Sequence, residues 1–502
     1  MSNNMEIELK LRLVDLKMYD QIVNDPILLA LSCPSEQRTQ TMEATYYDSA
    51  DYGLLRDEIA YRIRQENGDY VSTVKTSNTS SGGLHMRGEW NVVLNEPKPD
   101  ISPFLKESIG DRLQAAVGVS SLKPLLVTRY KRFLQYLTLE DGSKVEFAAD
   151  LGEIVVGDQT EPIAEIELEL KEGSVAELLK LGAMLTERYP LRLDSRSKFQ
   201  RGLTLAGLSP KSKAELRTPI IHGDKNVQKE LQKVLLFSLG LVLTTQSTFL
   251  EQPDDPDILH EFRVKLRTFR SLLSFGKPLF NLDVYFEEQA NLHKIGDDLT
   301  ALREIDVLLE EWNEITARNY DPLPNLSALH TILQEARIKA KDELLLKLND
   351  NKTTPKLLNC WAWLIDSPWQ ETVVKLTFLE FMEKRLNSWL KEYRKTLKLL
   401  DFSDISAVHR FRIRCKKIRY ILEGFKPIVK KDFAKVLINI KEQQTTFGSF
   451  HDTYQNLIVI RSLLTAHSSK ALHYEGGIFT GYQLCKRADI MRELKESQGK
   501  LQ

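Results

Sequence analysis

Several short runs place charged residues at alternate positions, the spacing at which a β-strand could do chemistry. In MEIELKLRL, Glu6, Glu8, Lys10 and Arg12 share one parity, and Ile7, Leu9, Leu11 and Leu13 share the other. AEIELELK repeats this with Glu165, Glu167 and Glu169. Basic counterparts are Arg62 with Arg64, Thr73 with Lys75, and Arg87 with Glu89 and Asn91, while Glu146 and Asp150 form a further acidic pair on one parity. Successive side chains of a strand point to opposite faces, so the apolar parity packs and the charged parity meets water or a polar cavity. A row of like charges repels unless water screens it, protons neutralise it or a cation sits in it. Hard divalent ions such as Mg²⁺ or Mn²⁺ take carboxylate oxygens and keep waters for a substrate phosphate. Guanidinium and ammonium groups suit the phosphate oxygens themselves. Each face alone reads more readily as an ordinary solvated surface, and only its repetition on other strands favours a cavity. If the strands close into a barrel with the charged parity inward, acids and bases line one cavity that a metal and a polyanion would balance. The Glu-x-Glu end would then hold metal, with Lys10 reaching a substrate phosphate.

The elements that must position these residues fall into two halves. Up to about Leu208 the chain reads as alternating segments, including AYRIRQ, DYVSTVKT, MRGEWNVVL, LVTRYKRFLQYLTL and KVEFAAD, so strands dominate. GLSPKSKAELRTPIIHGDKN combines turn residues, mixed charge and prolines and reads as a linker, with a boundary near 210–220. Beyond it, apolar residues recur at three- and four-residue steps and predict an all-helical half. That half repeats itself: LHEFRVKLRTFRSLLSFGKPLF at 259–280 aligns without a gap on VHRFRIRCKKIRYILEGFKPIV at 408–429. One face carries Phe262, Leu266, Phe269 and Leu273, matched by Phe411, Cys415, Ile418 and Leu422. The other carries His260, Arg263, Arg267 and Arg270, matched by His409, Arg412, Lys416 and Arg419. A basic stripe on one helix is usually a solvated face. Its repetition in register favours an anion track, because folding does not require a duplication to keep its polar positions. Downstream, DLTALREIDVL weakly echoes TFGSFHDTYQNL, so the duplicated unit holds at least two helices.

The 502 residues suit two or three domains. Sixty-nine basic and 70 acidic residues leave a formal charge of −1, which argues against a general nucleic-acid coating protein. The four cysteines lack CxxC spacing, suiting reduced thiols and excluding a zinc site or a disulfide framework. The N-terminus lacks a signal layout, and no stretch is expected to approach the roughly 20 apolar residues that span a bilayer. The expectation is a cytoplasmic protein with no membrane partner. GxGxxG, P-loop and HExxH patterns are missing, and His85 in GGLHMR reads as a loop residue.

EIELK at Glu6–Lys10, the ordered basic strands, GGLHMRGEWNV, EIELEL and SRSKFQRG together resemble the CYTH or triphosphate tunnel metalloenzyme family over about 3–205. ExExK alone is permissive; its place at the N-terminus and the other segments carry the match. The basic duplicated helices resemble the CHAD domain over about 220–502, a pairing found in bacterial inorganic triphosphatases. The resemblance implies an α+β protein: an N-terminal antiparallel β-barrel tunnel with helices over 1–210, and a C-terminal all-α duplicated helical bundle over 220–502, with repeats at about 225–350 and 370–500. It makes Glu6, Glu8, Glu167 and Glu169, with Glu165 in a lesser role, the ligands of Mg²⁺ or Mn²⁺. Lys10, Arg62, Arg64, Lys75, Arg87, Arg132 and Lys198 become triphosphate ligands. Arg132 is preferred to Arg129, since both cannot face one side of a regular strand. Glu89, Glu146 and Asp150 match acids that position a water or a second metal. The implied function is metal-dependent hydrolysis of inorganic tripolyphosphate to pyrophosphate and phosphate, with long-chain polyphosphate on the two helical stripes. The alternatives are a polyphosphate-binding or targeting protein with little catalysis, or a CYTH enzyme acting on thiamine triphosphate or a nucleotide.

Overall fold

The computed structural model describes residues 4–32, 36–66, 68–76, 79–208, 218–318, 326–349, 351–366, 368–370, 375–425, 431–467 and 469–499. Cys33, part of the expected linker (209–217) and the end of the second repeat segment (426–429) lie outside these residues. The chain divides into two compact units, 1–218 with 348–367, and 219–347 with 368–502.

Among the described residues the first unit is built on ten strands: β1 (Met5–Leu13), β2 (Arg38–Asp48), β3 (Ile59–Glu66), β4 (Asp69–Thr76), β5 (Thr79–Ser81), β6 (Leu84–Leu94), β7 (Lys123–Thr138), β8 (Lys144–Val156), β9 (Gln159–Glu172) and β10 (Leu191–Leu193). Eight of them close a ring in the order β1-β9-β8-β7-β2-β3-β4-β6, because β6 pairs back onto β1 from Met5 to Leu9. Every pairing is antiparallel, as hairpin connections require. The outward parity of β1, β8 and β9 supplies Leu9, Leu11, Phe147, Ile166 and Leu168, all buried. The helix Val175–Arg188 packs on β1 and β9. A side chain at Gly182 would lie 2.3 Å from Leu9 Cδ2, so the helix approaches β1 closely only because that position has no Cβ.

One helix from the second half of the chain belongs to this first unit. Thr353–Ile365 packs on Val175–Arg188, with Leu357, Leu358, Cys360, Trp361 and Leu364 buried. The contiguous 220–502 domain of the sequence reading is thus interrupted, and the physical reason is an apolar helix whose partner face lies on the barrel unit. His85, expected in a loop, lies in β6 and is buried.

The second unit is all-helical among its described residues apart from isolated bridges. Helices Pro256–Gly276 and Ile405–Gly424 carry the two matched segments and pack on each other. Both predicted apolar stripes are buried, from Phe262 to Leu273 and from Phe411 to Leu422. Val227–Glu251 corrects one expectation: it is long and apolar enough, by length and composition, to cross a membrane. Leu231, Leu235, Leu239, Val242, Leu243 and Phe249 on it are buried, and it packs against Pro256–Gly276 and Phe378–Lys398. A helix central to a bundle is apolar on most sides for the same reason that a spanning helix is.

Candidate functional site

The barrel encloses a polar lumen of about 280 Å³. Register arranges its acids in rows. Glu8 stands opposite Glu169, which stands opposite Glu146; one step along, Lys10 faces Glu167; a further step brings Glu165, Asp150 and Arg132 into line. Glu6, Glu8, Glu167 and Glu169 line the lumen, as do Glu89, Glu146 and all seven expected cationic ligands, Lys10, Arg62, Arg64, Lys75, Arg87, Arg132 and Lys198. Arg129 points outward to Glu43, 3.1 Å away, while Arg132 points in.

Asp150 and Glu165 are placed differently from the other acids. Both are fully buried and neither lines the lumen. The two Asp150 oxygens accept from Arg132 at 2.7 Å, and Lys198 Nζ donates to Asp150 at 2.7 Å, to Glu167 at 2.9 Å and to Glu165. Lys10 donates to Glu165 at 3.1 Å and pairs with Glu167 at 3.0 Å. Asp150, Glu165 and Glu167 offer oxygens within 4.8 Å of one another, the tightest acidic trio among the described residues. The Lys198 ammonium already sits on all three, so this trio holds an ammonium. Asp150, expected to position water, instead orients two cations. Burial drives Glu167 up, but Lys198, Lys10 and Arg132 outweigh it and hold the carboxyl well below its usual range.

The Glu8 row is less satisfied. Glu6 accepts from Lys75 at 2.9 Å and from Arg87, and Glu8 accepts from Arg87 at 2.9 Å. Among the described residues Glu8 Oε1 is buried without a hydrogen-bond partner, with Lys10 Nζ at 3.7 Å. Burial raises the Glu8 carboxyl, and Glu167 and Glu6 add to that rise against Arg87 and Lys10. Burial also pushes Glu169 up to about 7, although Lys171 at 2.8 Å opposes it; Glu6 and Glu146 push it further. Carboxyls directly opposite one another, one with an orphaned oxygen, are a donor set short of positive charge. Hard oxygen donors in such a row fit a divalent cation. On the other side of the lumen, among the described residues, Arg62 Nε is buried without an acceptor and its guanidinium donates to Tyr46 Oη at 3.3 Å. Among the described residues no carboxylate lies within 4.0 Å of Arg62; Arg64, by contrast, pairs with Glu66 at 2.7 Å. Glu89 pairs with Lys75 at 3.0 Å and Glu146 with Lys171 at 3.1 Å.

Several lumenal residues escape sequence reasoning: Arg38, Gln40, Met42 and Tyr46 from β2, Tyr130 from β7, and Lys171 at the end of β9. Tyr46 stacks on Phe199 at 5.0 Å, and Lys198 Nζ lies 4.9 Å from the Tyr130 ring. Arg201, three residues beyond Lys198, is 1 % exposed and donates to Glu161 at 2.7 Å and Glu165 at 3.2 Å.

In the helical unit the two basic stripes face each other. His260 is exposed, Arg263 is buried, and Arg267, Arg270, His409, Arg412, Lys416 and Arg419 are half-buried. Arg267 lies close enough to depress the ionisation of His409, Arg412 and Lys416 on the facing helix, after burial itself. The second helix of each repeat adds a pair missed in the sequence. Glu304 acts on Arg263, and Asp452 accepts from Arg412 at 3.0 Å. The His409 and His451 rings are 4.5 Å apart, centre to centre.

A barrel with inward acids and bases, joined to a duplicated basic helical bundle, defines the class. The CYTH domain pattern matches residues 4–203 and the CHAD domain pattern matches residues 243–460; the chain belongs to the proteins that carry both. CYTH domains are metal-dependent, and the lumenal row of Glu8, Glu169 and Glu146 is the acidic set here that is not already occupied by Lys198. An inorganic triphosphatase of Haemophilus influenzae is 33% identical over 201 residues, 40% of this chain and 54% of that protein. The chain thus spans about half the length of that relative. Among solved structures, the CHAD domain from the plant Ricinus communis covers 58% of this chain and 97% of its own, with a TM-score of 0.49 at 19% identity. A Hippeastrum protein described as having a dominant triphosphatase activity covers 41% of this chain and 98% of its own, with a TM-score of 0.31 at 22% identity.

Proposed function

We propose that the barrel hydrolyses inorganic tripolyphosphate to pyrophosphate and phosphate with Mg²⁺ or Mn²⁺, and that the helical unit binds long-chain polyphosphate. The observation that carries the first part is the division of the lumen between an acidic row short of cations and Arg62, a cation short of acids. A divalent ion with a polyphosphate balances both sides at once. Glu6, Glu8 and Glu169, with Glu167, would hold the metal, which when bound neutralises phosphate oxygens and polarises the phosphoryl group. Arg62, Arg64, Lys75 and Arg87 bind the substrate from one side and Lys10, Arg132 and Lys198 from the other. They offset the negative charge that builds on the bridging oxygen as water attacks the terminal phosphorus and that oxygen leaves with pyrophosphate. Glu146 and Glu89 are the lumenal acids left to orient the water. A lumen of about 280 Å³ lined largely by charged side chains favours a compact polyanion over a nucleotide.

The test is phosphate release by the full chain from tripolyphosphate, ATP and thiamine triphosphate, with Mg²⁺, Mn²⁺ or a chelator. Metal-dependent release, fastest from tripolyphosphate, is expected. No release under any condition would overturn the catalytic reading. The polyphosphate reading is tested separately by changing Arg263, Arg267, Arg412 and Lys416 together to Gln, which should weaken binding of long chains and flatten its salt dependence. Equal binding with an equal salt slope would make the stripes ordinary surfaces.

A further inference from the structure

The duplication in the helical unit preserves basic positions but not their chemistry. Arg263 corresponds to Arg412 and Arg270 to Arg419, whereas Arg267 corresponds to Lys416. In the second helix of each repeat an acid serves the matched arginine, Glu304 acting on Arg263 and Asp452 accepting from Arg412. The guanidiniums of the N-terminal repeat, Arg263, Arg267 and Arg270, stay charged over the range from pH 8.5 to 6.5, even though burial and Arg267 lower Arg263 to about 9, because a guanidinium holds its proton inside proteins. The C-terminal repeat places a lysine where a guanidinium would stand, and a lysine can give its proton up when buried among like charges.

Lys416 sits where that choice matters. It is half-buried on Ile405–Gly424, and among the described residues no carboxylate lies within 4.0 Å of its ammonium. Its own helix supplies Arg412 and Arg419. The packed Pro256–Gly276 helix supplies Arg267, and Lys431–Thr465 supplies Asp452, whose carboxylate is committed to Arg412 at 3.0 Å. His451 lies 3.6 Å from the same carboxylate and against His409. The remaining neighbour, Phe378–Lys398, turns Glu392 toward Arg414. We propose that the helical unit takes up a proton when it binds a polyanion, and that this proton goes to Lys416 in the C-terminal repeat. Burial, with Arg412, Arg267 and Arg419, depresses Lys416 to about 6 against the pull of Asp452. A bound chain of phosphates supplies the missing negative charge and restores the ammonium. The sign follows: the free protein holds fewer protons than the complex above about pH 6, so affinity rises as pH falls through that range, by up to about tenfold per unit for one proton.

This inference rests on the polyphosphate reading of the helical unit, and the experiment separates the two. Binding of long-chain polyphosphate to the full chain, in chelator so that the barrel is idle, is measured from pH 8.5 to 6.5 for wild type, Lys416→Arg and Lys416→Gln. Calorimetry in two buffers of different ionisation enthalpy counts the protons. Wild type should gain affinity as pH falls and show proton uptake. Lys416→Arg, which makes the two repeats alike at this position, should bind tightly with most of the slope gone, and Lys416→Gln should bind more weakly with the same flat profile. Ligand titration is common to all three proteins and cancels in the comparison. An unchanged slope and proton count in both variants, or a flat profile in wild type, would overturn proton uptake at Lys416. No binding by wild type at any pH would overturn the polyphosphate reading itself.

Discussion

Arg201 shows how far the lumen depends on residues outside it. Its guanidinium is buried between Glu161, Glu165 and the Pro162 carbonyl, and Glu165 in turn accepts from Lys10 and Lys198. Arg201→Met removes one partner of a buried carboxylate that keeps two others. The expected loss is about 3 kcal/mol, the lower end for breaking a buried pair, read by chemical denaturation. Glu165→Gln on that background should recover part of it, and strict additivity of the two changes would deny the coupling. At Glu8 the consequence is functional instead. Glu8→Gln keeps the shape and removes a charge from a row that is already short of cations, so it should relieve repulsion in the metal-free protein while lowering turnover on the order of 10²-fold. Normal turnover at saturating metal would remove Glu8 from the metal-ligand set.

At the scale of elements, β6 carries a pH dependence within the barrel wall. His85 is buried with Nε2 donating to the Asp194 carbonyl at 3.3 Å, and burial, with Arg87 and Lys10, lowers it to about 3. The unfolded chain protonates this imidazole near its ordinary value of about 6.5. The folded chain holds fewer protons between those values, so stability falls as pH drops from about 6.5 toward 3. Thermal unfolding across this window should be less acid-sensitive in His85→Gln, and an identical pH profile would place the sensitivity elsewhere. β1 and β9 were legible in the sequence because a charged parity alternates with an unbroken apolar one. β2 was not. Its lumenal parity, Arg38, Gln40, Met42, Ala44 and Tyr46, mixes polar with apolar, and its other parity is Thr39, Thr41, Glu43, Thr45 and Tyr47. A strand whose inner face serves a polar cavity and whose outer face is largely wet has no hydrophobic period to read.

At the scale of the whole molecule, the helix Thr353–Ile365 ties folding of the barrel unit to sequence far beyond it. Leu358 lies against Gly182, and Lys180 pairs with Asp366 at 2.9 Å. A fragment ending near residue 210 would expose the face of Val175–Arg188 that this helix covers. Burial of leucines and a tryptophan contributes about 1.5–3 kcal/mol per side chain. The fragment should therefore melt well below one in which 1–218 is joined through a flexible linker to 348–367. Equal melting temperatures would show that the helix adds nothing to the barrel. For the same reason, the proposed hydrolysis should be weaker in a bare N-terminal fragment than in the full chain.

The sequence by itself determined the strand and helix halves, the inward-capable charges of β1, β3, β4, β6 and β9, and the paired stripes of the helical repeats. Each of these is a local periodicity, and alternation or a three-to-four step survives without knowledge of neighbours. Tertiary structure alone decided which carboxylates are already paired. Glu165, Glu167 and Glu169 are equivalent along their strand, yet Lys198 and Arg201 from a later helix claim the first, Lys198 also takes the second, and the third is left raised toward neutrality. It also decided that Lys416 looks across at Arg267 and that an apolar helix from the second half of the chain covers the barrel unit. The ionisation of a buried group depends on charges a few ångströms away in space, and their distance along the chain carries no record of it.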